Sequence, residues 1–190
     1  RNAVKDNEAR LGRKTEVFSS CICATHYRLE YELPENPLVS ILVVNNGSGK
    51  GLARLVDSIV KRTEYDNYEI CIADFGKSSR ETQQFLALVF LEADMEILDS
   101  RWLNRLLMYT MQDDIAVTGS RIIDPGKFVQ EAGYIIGIGT DGIAYPVEHG
   151  NTFSAPGYIG RMYYAHNVSA VSMWGMMVEK KAFLENGGFN

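Results

Sequence analysis

The chain has 190 residues, of which 46% are apolar, a length and composition typical of one globular domain with a buried core. Its formal net charge is −5, its pI is about 5.3 and it contains no long run of Lys and Arg, which argues against a nucleic-acid-binding protein. It also lacks an apolar run of the ~20 residues needed to cross a bilayer, and its charged first residues are unlike a signal peptide.

The three cysteines, Cys21, Cys23 and Cys71, are too few and too irregular for a disulfide framework. They favour a reducing, cytoplasmic location, with peripheral attachment to the inner face of a membrane left open. Cys21 and Cys23 could ligate a metal together with His26, but the spacing matches no common zinc pattern. Ordinary buried thiols are the favoured interpretation.

Residues 1–36 are predicted to form an N-terminal arm that leads to the main domain at 37–190. Its first thirteen residues are mostly polar and indicate a surface helix or a frayed segment. The arm ends in a predicted turn at Pro34-Glu35-Asn36-Pro37, because two closely spaced prolines interrupt regular structure.

The main domain opens with a predicted βαβ unit. Val39–Val44 is a β-branched, nearly continuous apolar run, which is typical of a strand buried on both faces of a parallel sheet. A polar loop, Asn45–Gly51, separates it from a helix, and Tyr68–Ala73 is a second buried strand. The helix is predicted from one apolar stripe at helical spacing: Leu52, Leu55, Val56, Ile59 and Val60.

Further elements follow in the same alternation. Ser78 or Ser79 can cap a short helix that runs to Leu86, and Ala87–Leu91 is a third buried strand. Asp99 or Ser100 can cap the next helix, whose apolar side carries Trp102, Leu103, Leu106 and Leu107. The pattern then predicts, in order, a strand in Ile115–Ile123, irregular strands and loops in Pro125–Tyr164, a strand or strand pair in Val168–Val178 and a helical turn at Ala182–Glu185.

Polar clusters follow the three strands at the points where they end. They are Asn45-Asn46-Gly47, Asp74-Phe75-Gly76 and Glu92-Ala93-Asp94. Alternating β and α units indicate an open, mostly parallel sheet flanked by helices, and ligands of such sheets bind beyond the carboxyl ends of the strands. The sequence therefore predicts a binding site where these clusters meet.

Two glycine-rich segments resemble phosphate-binding motifs without satisfying them. The first is Asn46–Gly51. When its Gly49-Lys50 is aligned with the P-loop, Val44 stands where the motif needs its first glycine, and Gly51 stands where it needs the hydroxyl that binds magnesium. Gly137–Gly142 matches the letters of a dinucleotide-binding fingerprint, but Pro146 follows too soon for the helix that this fingerprint must open. A flexible loop and ordinary turns are favoured, and a P-loop nucleotide hydrolase remains a minor alternative.

The order and spacing of several segments resemble family 2 glycosyltransferases of the GT-A fold, closest to the bacterial branch that builds O-antigen and rhamnan polysaccharides. The resemblance covers about Pro37 to Asn190. It rests on Pro37–Val44, Leu52–Ile70, Phe90–Ile97, Gln130–Gly133, Pro156–Tyr158, Asn167–Ser172 and Gly187–Phe189.

This resemblance implies a nucleotide-diphospho-sugar transferase fold and metal-dependent, inverting transfer of a hexose or deoxyhexose from a UDP- or dTDP-linked donor to a polysaccharide or lipid-linked glycan. By the family pattern, Asp94 would bind Mg²⁺ or Mn²⁺. Asp74 would contact the base or ribose of the nucleotide, and Asn45 and Asn46 would line the nucleoside pocket. A divalent cation across the diphosphate stabilises the charge that grows on this leaving group.

The chain departs from the family pattern in places that bear on the donor site. It has Val44-Asn45 where the family has proline and threonine, Asp74-Phe75-Gly76-Lys77 where the family has Asp-Asn-Gly-Ser, and Glu92-Ala93-Asp94 where asparagine and two aspartates are usual. Between Gln84 and Phe90 the family would carry several dozen more residues. The acidic residue that serves as its catalytic base would lie beyond Asn190.

These gaps leave two interpretations. Either the sequence joins pieces of a longer transferase, which we favour because the missing strand and helix would otherwise leave the pocket unwalled, or it is an inactive relative. The alternative function is accordingly a non-catalytic, glycosyltransferase-like module that binds a glycan or a partner protein.

Overall fold

The computed structural model describes residues 1–20, 25–33, 35–45, 49–74, 87–138 and 142–189. Contacts divide the chain into two compact units. We call Arg1–Glu32 with Ser120–Ser172 the hairpin unit, and Leu33–Gly119 with Met173–Asn190 the sheet unit. The predicted helix from Ser78 or Ser79 to Leu86 falls outside the described residues, and the predicted domain boundary at residue 36 stays a prediction.

Helices and strands follow one another along the chain without a regular alternation. In chain order they are α1 (Asn2–Arg10), β1 (Thr15–Ser19), β2 (Tyr27–Tyr31), β3 (Val39–Asn45), α2 (Gly49–Arg62), β4 (Tyr68–Asp74), β5 (Ala87–Glu92), α3 (Trp102–Thr110), β6 (Val117–Gly119), β7 (Ile122–Ile123), β8 (Val129–Glu131), β9 (Tyr134–Ile136), β10 (Ala144–Pro146), a 3-10 segment at Tyr158–Tyr163, β11 (Met176–Glu179) and α4 (Lys180–Glu185).

The sheet unit is built on a five-stranded mixed sheet with the order β4-β3-β5-β11-β6. The pairings β4-β3 and β3-β5 are parallel, as the alternating pattern predicts, whereas β11 is antiparallel to both β5 and β6. The expected open, mostly parallel sheet is therefore correct for its first three strands only. The second half is mixed because a late segment of the chain inserts between β5 and β6.

Helices α2 and α3 contribute apolar side chains to the core of the sheet unit. Leu55 and Ile59 of α2 and Leu103 and Leu107 of α3 are completely buried in one cluster with alternate residues of β3. Burying such a side chain contributes about 1.5–3 kcal/mol, so this cluster is the main source of the unit's stability. Of the apolar residues predicted to face the core from α2, Leu55 and Ile59 are confirmed as buried, whereas Val60 is exposed.

Tyr65, between α2 and β4, binds the segment that precedes β3. Its ring is buried, and its hydroxyl donates a 2.5 Å hydrogen bond to the carbonyl oxygen of Pro37, just before β3. Burial, together with the negative charge of Asp66, raises the pKa of Tyr65 to about 12. The neutral phenol is thus the form that the folded protein stabilises.

We expect this tyrosine to make stability fall at high pH. Because its pKa is higher folded than unfolded, its contribution is complete below the unfolded value of ~10 and is lost as pH rises through the folded value of about 12. Denaturant unfolding at several pH values should show this decline in the wild type and a shallower one in Tyr65→Phe. Equal slopes would contradict the assignment.

The hairpin unit contains short antiparallel pairs, β1-β2, β7-β8 and β9-β10. The irregular strands and loops predicted for Pro125–Tyr164 agree with this architecture. Gly142 precedes strand β10 rather than a helix, which confirms that the glycine motif there is not a dinucleotide-binding fingerprint. The antiparallel pair β1-β2 was not predicted within the N-terminal arm.

Three local predictions need correction. The strand predicted in Ile115–Ile123 is two strands, β6 and β7, that belong to different sheets. The strand predicted in Val168–Val178 reduces to β11 and an isolated bridge at Ala170. Helix α3 begins after Arg101, and Asp99 accepts a hydrogen bond from the Arg101 amide (3.1 Å) instead of capping the helix itself.

Within the described part of the chain, no helix has the length and apolar character that a membrane span requires.

Candidate functional site at the carboxyl ends of three strands

The carboxyl ends of β3, β4 and β5 lie side by side, with β3 in the middle. The strand register pairs Asn45 with Asp74 and Val44 with Glu92. Just past β5, the Ala93 amide donates to the Val44 carbonyl oxygen (3.1 Å). Adjacent strands are spaced by about 4.8 Å, so the ends of β4 and β5 lie about 10 Å apart across Asn45.

A tight turn after β5 directs Asp94 outward. The Met95 amide donates to the carbonyl oxygen of Glu92 (3.1 Å), and the flanking residues Ala93 and Ile97 are buried. Asp94 is exposed between these two anchors, and within the described residues its carboxylate has no ion pair or hydrogen bond. An exposed carboxylate held on an anchored turn is suited to binding a cation.

The first turn of α2 lies directly against this turn. A Cβ atom added at Gly51 would be 3.0 Å from the Ala93 carbonyl oxygen and 3.4 Å from the Asp94 Cα atom. Gly51 is buried, so the glycine is what allows the two backbones to approach. The backbone N–H groups at a helix N-terminus attract anions, and α2 has no acidic residue in its first turn.

Ser58 fastens α2 to the segment that follows Asp94. Its hydroxyl is buried, donates to the Leu55 carbonyl oxygen (2.8 Å) and accepts from the Ile97 amide (3.1 Å). Arg62 adds an ion pair to Glu96 (2.9 Å), so this neighbouring carboxylate, unlike that of Asp94, is already engaged. Asp94 is thereby held in place from both sides.

The Ser58 link gives a stability prediction. Ser58→Ala leaves the buried Ile97 amide without its acceptor, which we expect to lower the free energy of unfolding by about 1–2 kcal/mol. Urea unfolding followed by circular dichroism measures this directly. Ser100→Ala removes a serine hydroxyl on the exposed side, bonded to Glu64, and should cost less; an equal cost for both would refute the proposed link.

Three of the four predicted site residues lie at the same edge of the sheet, and the fourth is outside the described residues. Asn45 is half-buried at the end of β3, and the backbone of Asp74 is its direct neighbour at the end of β4. Asp94 is at the same edge, after β5. Asn46 lies outside the described residues, as do Cys21 and Cys23 of the alternative metal site. His26 of that alternative stacks on Tyr164 at 5.2 Å between ring centroids.

Two residues that matter for this site were not singled out from the sequence. Gly51 figured only as a failed P-loop position, although a glycine inside a helix costs about 1 kcal/mol and so signals a close approach. Ser58 was noted only as part of the Leu52–Ile70 segment of the family resemblance, because its structural role depends on a contact with Ile97, 39 residues away. The contact of Gly51 with Ala93 also differs from the P-loop arrangement, which places a metal-binding hydroxyl at that position.

The chemistry of the donor atoms fits a divalent cation only when a ligand shares it. Among the described residues, no group of three or more His, Cys, Asp and Glu side chains could form an all-protein metal site. Mg²⁺ is commonly held by one or two carboxylates together with phosphate oxygens and water. Asp94 offers one exposed carboxylate for such a smaller oxygen set.

Surface hollows of about 350 and 280 Å³ lie elsewhere in the sheet unit. The first runs along α4, and the second lies beside the later turns of α2, between Arg54 and Glu96. The second is occupied in part by ion pairs of its own lining residues, Lys61 with Asp57 and Arg62 with Glu96. The strand ends remain the better candidate, because three segments that are distant in sequence meet there.

The chain is similar to proteins that are much longer than itself. It is 24% identical over 222 residues to the O-antigen biosynthesis protein RfbC of Myxococcus xanthus, covering 99% of this chain and 17% of that protein. It is 23% identical over 205 residues to the uncharacterized protein y4gI of Sinorhizobium fredii, covering 86% of this chain and 22% of that protein. The chain thus spans about a fifth of each relative.

The chain is also similar to a solved structure, the mannosyltransferase PcManGT from Pyrobaculum calidifontis in complex with GDP-Man and Mn²⁺. The match covers 100% of this chain and 55% of the mannosyltransferase chain. The sequence identity is 11% and the TM-score is 0.48, so the likeness is weak. No protein-family profile matches the chain. What the comparisons establish is a distant sequence relationship to a protein of O-antigen biosynthesis.

Proposed function

We propose that the sheet unit binds a nucleotide-sugar and that the chain belongs to a glycosyltransferase of the GT-A type, family 2. The observation that carries this proposal is the meeting of three strand ends, with the exposed Asp94 turn packed against the N-terminus of α2. The similarity to a protein of O-antigen biosynthesis supports a polysaccharide as the product.

Each part of this edge has a role that its chemistry allows. Asn45 and Asp74 are adjacent and can offer amide and carboxylate groups to the ribose and base of the donor. The α2 N-terminus, with the exposed Lys50 in its first turn, favours the negative diphosphate. The ~10 Å between the ends of β4 and β5 suits a nucleoside at one end and a diphosphate at the other.

Asp94 would hold Mg²⁺ or Mn²⁺, and the bound cation would neutralise the charge that develops on the departing diphosphate. The protein's own contribution is to keep this carboxylate exposed, unpaired within the described residues and fixed by Gly51 and Ser58. Transfer to the hydroxyl of a polysaccharide or lipid-linked glycan, with inversion, completes the proposed reaction. We assign no catalytic base.

The proposed cellular setting follows from this chemistry. Nucleotide-sugars are cytoplasmic metabolites in bacteria, so we propose a cytoplasmic protein, with peripheral attachment at the inner face of the membrane where a lipid-linked acceptor would be presented. The donor would be UDP- or dTDP-linked, as the sequence resemblance implies.

Calorimetric titration tests the proposal. UDP-, dTDP- and GDP-sugars should be titrated into the protein with Mn²⁺ and again with excess chelator. We expect at least one to bind, and its affinity to fall when the metal is removed. If none binds under either condition, the transferase assignment fails and a non-catalytic binding module becomes the better account. Lys50→Ala in an ATP hydrolysis assay tests the remaining P-loop alternative.

A further inference from the structure

A continuous row of aromatic and cationic side chains lies on the hairpin unit. We call Phe153, Arg121, Tyr163, Tyr164 and His26 the aromatic strip. The Arg121 guanidinium carbon is 4.5 Å from the centre of the Phe153 ring. The Tyr163 and Tyr164 rings meet edge to face with centroids 6.5 Å apart, and His26 stacks on Tyr164 at 5.2 Å.

Arg121 links Phe153 to the segment that carries the two tyrosines. Besides covering Phe153, it donates a hydrogen bond from Nη1 to the carbonyl oxygen of Met162 (3.2 Å), the residue that precedes Tyr163. Phe153 is 45% exposed and Tyr163 is 38% exposed, although Met162 between them is buried. Two rings of the strip are thus partly exposed to solvent, outside the core of the unit.

One half-buried carboxylate holds strained backbone in the segment that leads to Tyr163. Glu148 accepts hydrogen bonds from the Tyr158 amide (2.8 Å), Arg161 Nε (2.6 Å) and Asn151 Nδ2 (2.5 Å). Both Glu148 (φ 57°) and Ile159 (φ 52°) adopt left-handed backbone angles. Such conformations cost about 1–3 kcal/mol each and persist where surrounding contacts enforce them.

The lack of a side chain at Gly157 lets Glu148 and Met162 approach the backbone there. A Cβ atom there would lie 2.6 Å from Met162 Cγ and 2.9 Å from Glu148 Oε1. The close packing fixes Met162 and therefore the neighbouring Tyr163, whose hydroxyl donates to the Ser154 carbonyl oxygen (2.9 Å). Rings that are already fixed lose little conformational entropy on binding, so the strip is preorganised for a ligand.

We propose that the aromatic strip binds a saccharide chain, the acceptor glycan of the transferase. This inference rests on the proposed function and adds an acceptor-binding surface to it. A pyranose ring has an apolar face of C–H groups and a rim of hydroxyls. The faces can stack on Phe153 and Tyr163, while Arg121 and His26 can bond the hydroxyls.

The composition of the strip favours a saccharide over a lipid surface. Arg121 is its one permanently charged residue, whereas binding to anionic lipid depends on clusters of Lys and Arg around apolar side chains. The strip combines aromatic rings with hydrogen-bonding groups, which suit the apolar faces and hydroxyl rims of sugar units. A saccharide is therefore the occupant to which we commit.

Saturation-transfer NMR on the full chain provides the test, with short rhamnose-, mannose-, galactose- and glucose-containing oligosaccharides as probes. We expect millimolar binding of at least one probe, weakened about tenfold by Phe153→Ala and by Tyr163→Ala, which removes about 1.4 kcal/mol of stacking. Phe153→Tyr keeps a ring and should retain binding. Tyr145→Ala is the matched control, because Tyr145 is 48% exposed in the same unit but outside the strip.

Three results would overturn the inference: no probe binds, Tyr145→Ala weakens binding as much as the strip variants, or the strip variants lose adsorption to phosphatidylglycerol vesicles while saccharide binding is unchanged. The assay contains no nucleotide or metal, so Asp94→Asn should bind the probe like wild type. Failure of the donor site and failure of the strip can therefore be told apart.

Discussion

Replacing Asp94 by asparagine is expected to lower the Mn²⁺-dependent affinity for a nucleotide-sugar by about a hundredfold, equivalent to about 2.7 kcal/mol. The amide keeps the size of the side chain but removes the negative charge that would hold the cation. Asp94 is exposed, so the free energy of unfolding should change by less than about 0.5 kcal/mol. Calorimetry with and without Mn²⁺ measures the affinity, and urea unfolding checks the fold.

Glu96→Gln is the matched control for this substitution. Glu96 is an exposed carboxylate two residues away, but it is paired with Arg62 beside the later turns of α2. We expect its replacement to leave donor affinity within about twofold of wild type, since distant surface charges are largely screened. A comparable loss in both variants would show that general surface charge, and not a specific cation site at Asp94, controls binding.

The second large effect is expected from Gly51→Val. Its branched side chain would meet the Ala93 carbonyl oxygen and the Asp94 Cα atom, both backbone atoms that cannot move aside independently. We expect a loss of about 2–3 kcal/mol in stability, because the start of α2 must separate from the turn after β5. Donor affinity should fall as well, since the same displacement moves Asp94 relative to the helix N-terminus.

Gly49 offers a control within the same helical turn. No described atom lies within 4 Å of a Cβ added at Gly49, so Gly49→Val should change stability by less than about 0.5 kcal/mol. Thermal unfolding of both variants, with calorimetry of the donor, measures the difference. If Gly51→Val is as stable as Gly49→Val and binds donor normally, the close contact between α2 and the Asp94 turn is not a feature of the protein.

The first half of the sheet was predictable from the sequence for simple physical reasons. β3, β4 and β5 were located to within one residue, because a strand buried on both faces must be apolar throughout its length. The α2 stripe was equally visible, since Leu55 and Ile59 recur at helical spacing and face the core. Local pattern and tertiary burial agree in this region.

The second half was not predictable, because it depends on pairings between distant residues. β11 is only four residues long and is defined by antiparallel contacts with β5 and β6, which lie far earlier in the chain. Nothing in its sequence specifies that it separates these two strands. For the same reason, the pattern in Ile115–Ile123 did not indicate that this segment contains two strands, β6 and β7, which pair in different sheets.

The candidate site was predictable in outline. The rule that parallel strands gather ligands at their carboxyl ends placed Asn45 beside Asp74 and both near the Asp94 turn, as the strand register shows. The supports of the site were not predictable, since Gly51 and Ser58 act through contacts with a segment about 40 residues later. The roles assigned to Asn45, Asn46, Asp74 and Asp94 remain predictions.

Paramagnetic NMR tests most directly whether the three strand ends form one donor site. Mn²⁺ broadens resonances of nuclei near it, and Mg²⁺ serves as the diamagnetic reference. With a nucleotide-sugar present, we predict that Mn²⁺ broadens the backbone amide resonances of Asn45, Asp74 and Asp94 together, and that Asp94→Asn abolishes all three effects. Broadening confined to another part of the chain, or of Asp94 without Asn45 and Asp74, would contradict a shared site.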